Sequence, residues 1–102
     1  MKPPYYPVIF SSTQSKQFVG YAEMAQKMLA LAAEQDGYLG VESARDSELG
    51  ITVSYWRDLE AISRWKQHAE HEVARTLGKE QWYKSFTVRI AKVERSYSFT
   101  TE

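Results

Sequence analysis

The stretch from Ile51 to His71 constrains the fold more than any other part of the chain. It opens as Ile-Thr-Val-Ser-Tyr-Trp, a β-branched and aromatic run that suits a half-buried strand. Asp58 follows, a residue whose short carboxylate caps helix N-termini, and Glu60 sits in the first turn, where the helix dipole favours negative charge. Ala61, Ile62, Trp65, Ala69 and Val73 then recur at helical spacing as one apolar stripe. Strand hands over to helix within two residues, and the stretch holds two of the three tryptophans and both histidines, His68 and His71.

Lys2 to Pro4 reads as an extended lead-in, because proline cannot donate into a ladder. Tyr5 to Ser12 reads as a first strand, with Tyr6, Val8 and Phe10 on one face. The polar segment from Ser11 to Gly20 leads into a helix expected over about Val19 to Gln35, which buries Tyr21, Met24, Ala25, Met28, Leu31 and Ala32 and ends at Asp36-Gly37. Tyr38 to Arg45 and Ile51 to Trp56 are strands joined by the polar loop Asp46 to Gly50, a hairpin signal. The second helix is predicted to run on to Gly78, with either a break or continuity near Glu70. After the short aromatic segment Gln81-Trp82-Tyr83, a long last strand is predicted from about Ser85 to Phe99. Its apolar positions change parity between Ile90 and Ala91, which suggests a bulge or a strand buried on opposite faces in its two halves.

The order is β-α-β-β-α-β. With right-handed crossovers it closes as an α+β, ferredoxin-like plait: a four-stranded antiparallel sheet with both helices on one face. The other face would then be bare, and a second copy packed against it in a symmetric homodimer would cover it.

At 102 residues the chain is one domain, 1–102, able to bury roughly 65% of the surface it exposes when unfolded. Aromatic residues make up 14% of it, more than a core this small usually takes, so some are expected at an interface or a ligand site. Thirteen basic and thirteen acidic side chains cancel without forming a block, which argues against nucleic-acid and membrane-surface partners. With no cysteine there is no disulfide framework, thiolate nucleophile or Cys-zinc site. The first residues lack the apolar core of a signal peptide, and no segment has the length of a membrane span, so a cytoplasmic protein is expected. Phosphate-binding glycine loops, Gly-x-Ser-x-Gly and carboxylate clusters for magnesium are all missing.

The element order together with Ser54-Tyr55-Trp56, Glu60-Ala61-Ile62 and Trp65-Lys66-Gln67-His68-Ala69-Glu70-His71 resembles the antibiotic biosynthesis monooxygenase domain family, from Tyr5 to about Tyr97. The resemblance implies a dimeric α+β barrel in which the sheets of two protomers pack together. It also implies a choice of activities, among them cofactor-independent monooxygenases of polyketide aromatics, quinol monooxygenases and haem-degrading enzymes. The family fold therefore does not name a substrate. In the haem-degrading branch an iron-ligating histidine follows a helix tryptophan by about ten residues, but the tenth residue after Trp65 is Arg75, no usual haem ligand. In the quinone-forming branch Trp65 would match a tryptophan that holds a flat aromatic substrate.

Trp65 lies within the apolar stripe, so it packs the core, walls a ligand site, or does both. His68, one turn on and at the flank of the stripe, is the candidate base: a neutral imidazole there could take the proton of a phenol or quinol, leaving an anion able to react with dioxygen. His71 is a candidate substrate contact, although helical geometry turns it towards solvent; with His68 and Glu72 it forms only a weak metal pattern, and no metal is expected. Tyr55 and Tyr83 complete the candidate substrate contacts, Tyr55 and Trp56 pointing to opposite faces of their strand. The leading reading is a monooxygenase without cofactor acting on a small aromatic or quinol-like molecule. The alternatives are a non-catalytic ligand-binding or interaction module and a haem-binding or haem-degrading protein.

Overall fold

The computed structural model describes residues 1–14, 21–77 and 83–101. Its elements are β1 (Tyr6–Gln14), α1 (Tyr21–Ala33), β2 (Tyr38–Arg45), β3 (Leu49–Trp56), α2 (Leu59–Leu77) and β4 (Tyr83–Ile90). The four strands form one antiparallel sheet in the order β2-β3-β1-β4, the ferredoxin-like plait expected from the sequence.

Register settles which residues share a face. Tyr6 pairs with Trp56, Val8 with Ser54 and Phe10 with Thr52, so the alternation expected for the first strand is the one observed. Both helices lie on the Trp56 side: Ala32 of α1 and Ala61 and Ile62 of α2 form the buried core with Trp56, and Tyr6, Val8, Tyr38 and Trp65 pack around it. Trp56 is fully buried, and its indole N–H donates to Oγ of Ser54 at 2.9 Å, so burial leaves no orphan donor.

Three aspartates hold the turns. Oδ1 of Asp58 accepts the Ala61 N–H at 2.8 Å, the N-cap that starts α2. Oδ1 of Asp46 accepts the N–H groups of Glu48 and Leu49, each at 2.7 Å, closing the β2–β3 hairpin. That bond pattern makes the loop shorter than expected, so Leu49 and Gly50 belong to β3. Asp36 receives a two-pronged ion pair from Arg57, at 3.2 and 3.1 Å, which ties the end of the first crossover to the start of the second. Beside it Gly37 has φ +89°, and a Cβ there would stand 2.5 Å from Cβ of Ala61, so glycine is required both for conformation and for the approach of α2. Arg57 holds the Asp36 carboxyl below the ordinary carboxylate range, and the Ala61 N–H, followed by Arg57, does the same for Asp58.

Helix α2 is continuous through Glu70 to Leu77. The last strand is shorter than expected. β4 ends at Ile90; beyond it, among the described residues, the Ala91 N–H bonds to the Pro7 carbonyl of β1 and the Val93 N–H to the carbonyl of Tyr5 just before β1. The reason lies in the partner: upstream of Tyr5 stand Pro4 and Pro3, which have no N–H to continue a ladder. The expected start of the first helix at Val19, the expected stop of the second at Gly78 and the segment Gln81-Trp82 lie outside the described residues.

Candidate functional site

On α2, Trp65 continues the stripe begun by Ala61 and Ile62 and is half-buried. Its ring stacks on Trp56, with centroids 5.9 Å apart and planes at 22°. Tyr38 meets the same Trp56 edge-on at 5.7 Å. One turn along the helix His68 tilts against Trp65, centroids 6.1 Å apart. An aromatic column thus runs Tyr38, Trp56, Trp65, His68, from sheet to helix flank. Its imidazole end is exposed to solvent.

The helix-facing surface of the sheet can be read row by row across β2, β3, β1 and β4. The Trp56 row carries Tyr38 and Tyr6. The next carries Val41, Ser54, Val8 and Ile90, the third Ser43, Thr52, Phe10 and Val88, and the last Arg45, Gly50, Ser12 and Phe86. The hydroxyls of Ser43 and Thr52 bond to each other at 2.9 Å. On the β1–β4 side the rows form an apolar shelf: Phe10 and Phe86 stack at 5.4 Å, and Phe86, Val88 and Ile90 are 60, 47 and 51% exposed. An apolar shelf beside a polar hydroxyl row can hold a flat, mostly apolar molecule with a few polar substituents.

Trp65 and His68 are brought together, and Tyr55 is not among them. Tyr55 lies on the opposite face of the sheet, edge-on to Tyr5 at 5.9 Å. Its hydroxyl donates to Oε1 of Glu42 at 2.5 Å, and this bond, more than its partial burial, pushes the phenol up to about 12. His71 is exposed on α2. Glu72, the carboxylate of the weak metal pattern, pairs with Lys27 of α1 at 3.3 Å, and among the described residues no group of three metal-ligating side chains is found. Tyr83 opens β4, and its side chain lies outside the described residues. Sequence reasoning overlooked the Phe10–Phe86 shelf, because parity names a face of the sheet without saying whether a helix covers that part of it.

The two-layer plait sets the fold class, and sequence similarity sets the family. The sequence model of antibiotic biosynthesis monooxygenases matches residues 4–77, and the chain belongs to that family. It is 52% identical over 99 residues to YqjZ, an uncharacterized protein of Bacillus subtilis strain 168, covering 96% of this chain and 87% of that one. It is 28% identical over 97 residues to a jasmonate monooxygenase of Pyricularia oryzae, covering 89% of this chain but 44% of that longer protein. Among solved structures it superposes on a variant of SnoaB, a cofactor-independent oxygenase from Streptomyces nogalater, with TM-score 0.70, 10% identity and coverage of 90 and 95%. It also superposes on a MhuD mutant with two manganese protoporphyrin IX molecules bound per active site, with TM-score 0.67, 15% identity and coverage of 92 and 99%. At these identities the two structures share the fold alone.

Among the described residues no buried histidine is placed to ligate a haem within the fold. Both histidines are exposed, and the inner side of Trp65 is filled by Trp56.

Proposed function

We propose that this protein is a cofactor-independent monooxygenase acting on a small aromatic or quinol-like molecule. The observation that carries the reading is the Trp65–His68 pair, an imidazole 6.1 Å from a core-anchored indole, in a chain of the monooxygenase family. The ring of the substrate lies between α2 and the Phe10–Phe86 shelf, where burial of apolar area supplies the affinity. His68 accepts the phenolic proton and passes it to solvent, for which its exposed position is suited. The phenolate then reduces dioxygen: one oxygen atom enters the ring as a new carbonyl, the other leaves as water, and the substrate supplies all the electrons. A phenol plus O₂ becomes a quinone plus H₂O, so no external reductant is needed.

The protein acts as a homodimer in this proposal. Leu49 and Ile51 are 45 and 40% exposed on the face away from the helices. A second copy packed on that face would cover them. Sedimentation at micromolar concentration should show a dimer.

Oxygen consumption with 1-naphthol and with hydroquinones tests the chemistry. Turnover above the buffer rate is expected, with a loss of about 100-fold or more for His68→Ala at unchanged thermal stability. Oxygen uptake at the buffer rate, or uptake indifferent to His68→Ala, overturns it. Ligand binding without consumption would favour the non-catalytic module.

A further inference from the structure

Register also fixes the composition of the sheet face turned away from the helices. One row of that face reads Glu42, Val53, Ile9, Arg89 across β2, β3, β1 and β4. An acid stands on one edge strand, a base on the other, and two β-branched side chains lie between them. Among the strand residues that the register places on this face, these two are the charged ones; the rest are apolar, small or hydroxylated. Both are exposed. Three strand spacings, about 14 Å, separate them, and neither joins the ion pairs formed among the described residues. The Tyr55 hydroxyl donates to Oε1 of Glu42 and holds the carboxylate at the edge of the face.

A face with one charge at each edge discriminates between the ways in which a second copy can cover it. Two identical sheets packed face to face have their twofold axis in the plane between them. With the axis across the strands, β2 of one copy lies over β2 of the other, so the two acids share one edge of the interface and the two bases the other. With the axis along the strands, the order β2-β3-β1-β4 runs against its own reverse, which sets β2 over β4 and β3 over β1. Each row then faces itself reversed, and the acid of one copy meets the base of the other. A mutual turn of about 30°, usual for packed sheets, moves the edge residues apart by about 4 Å, within reach of an arginine side chain.

We propose that two copies associate through this face with the twofold axis along the strands, Glu42 of each pairing with Arg89 of the partner subunit and Val53 packing on Ile9 of the partner subunit. The proposal rests on the homodimer reading above and adds its orientation and register. Apolar burial at the centre holds the copies together, and the two ion pairs at the rim select the orientation. Both helices lie on the other side of the sheet, so the Trp65–His68 pair of each copy stays clear of the interface.

Sedimentation of the full chain and of charge-reversed variants tests the pairing. The wild type should be a dimer at micromolar concentration, with an affinity that falls as salt rises. Glu42→Arg and Arg89→Glu should each weaken self-association by about tenfold or more, since each sets two like-charged contacts in place of two opposite ones. Mixed in equal amounts, the two variants should form a heterodimer within about threefold of the wild-type affinity, because every charge contact across the interface is then between opposite signs. The double variant should recover likewise. Loss of the Tyr55 bond in Glu42→Arg cannot produce that recovery, so the mixture reads charge pairing alone. Thermal unfolding of each variant checks its folding; if a reversal does not fold, Glu42→Gln and Arg89→Gln decide, each expected to weaken the dimer and remove most of its salt dependence. A dimer indifferent to these changes, or reversed variants that fail to associate on mixing, overturns the pairing and leaves a face-to-face dimer standing. A wild type that stays a monomer overturns the homodimer reading as well.

Discussion

Both sides of the helix-facing sheet surface carry large apolar side chains, and these end in opposite states. At the β2–β3 half, Trp56 is fully buried under Ala32, Ala61, Ile62 and Trp65. At the β1–β4 half, Phe86, Val88 and Ile90 stand 47 to 60% exposed on the same face. Burial here is decided by where the helices land. Helices α1 and α2 rest on the half that carries the large indole, and the turns held by Asp36, Gly37 and Asp58 fix them there. One half is therefore expected to supply stability and the other binding.

The strongest challenge to that division is Trp56→Ala. It should cost about 3–5 kcal/mol, from lost burial and a cavity, read as a shift in the midpoint of chemical unfolding. Gly37→Ala should follow at about 1–3 kcal/mol, because a positive φ and contact with Ala61 both resist a Cβ. Next comes the acid limb. The carboxyls of Asp36 and Asp58 titrate below their ordinary value in the folded chain, so the unfolded chain binds protons first as pH falls. Their contribution is complete above the unfolded carboxylate range and is lost as pH drops through the lowered folded values. Asp58→Ala should lower the melting temperature at neutral pH and flatten its fall below about pH 4. The smallest effect belongs to the more exposed half: Phe86→Ser should cost about 1 kcal/mol, the scale of its stack on Phe10, while weakening binding of an aromatic ligand. A large loss of stability from Phe86→Ser would erase the contrast between the halves.

Much of the fold was legible because its signals are local. Asp58 before an apolar stripe predicts a helix start, and Asp58 Oδ1 does cap Ala61 N. The alternation of Tyr6, Val8 and Phe10 predicts a shared face, and the register bears it out. Gly50 carried a readable hint that was missed. Placed in a loop, it needs no explanation; placed in β3, a glycine inside a strand marks a close approach, here by the guanidinium of Arg45. The site was less legible. His68 beside Trp65 follows from helical spacing, but the distance of Tyr55 from both, across the sheet, depends on which strand face meets the helices.

The sequence by itself determined the β-α-β-β-α-β order, the ferredoxin-like class and the faces of each element, since capping, turns and hydrophobic period act within a few residues. Only the tertiary structure decided that Trp56 is the buried centre, that Phe86, Val88 and Ile90 stay exposed and that Arg45 reaches Ser12 across Gly50. Those outcomes depend on contacts between residues far apart in the chain, and no local pattern records where two packed layers leave a gap.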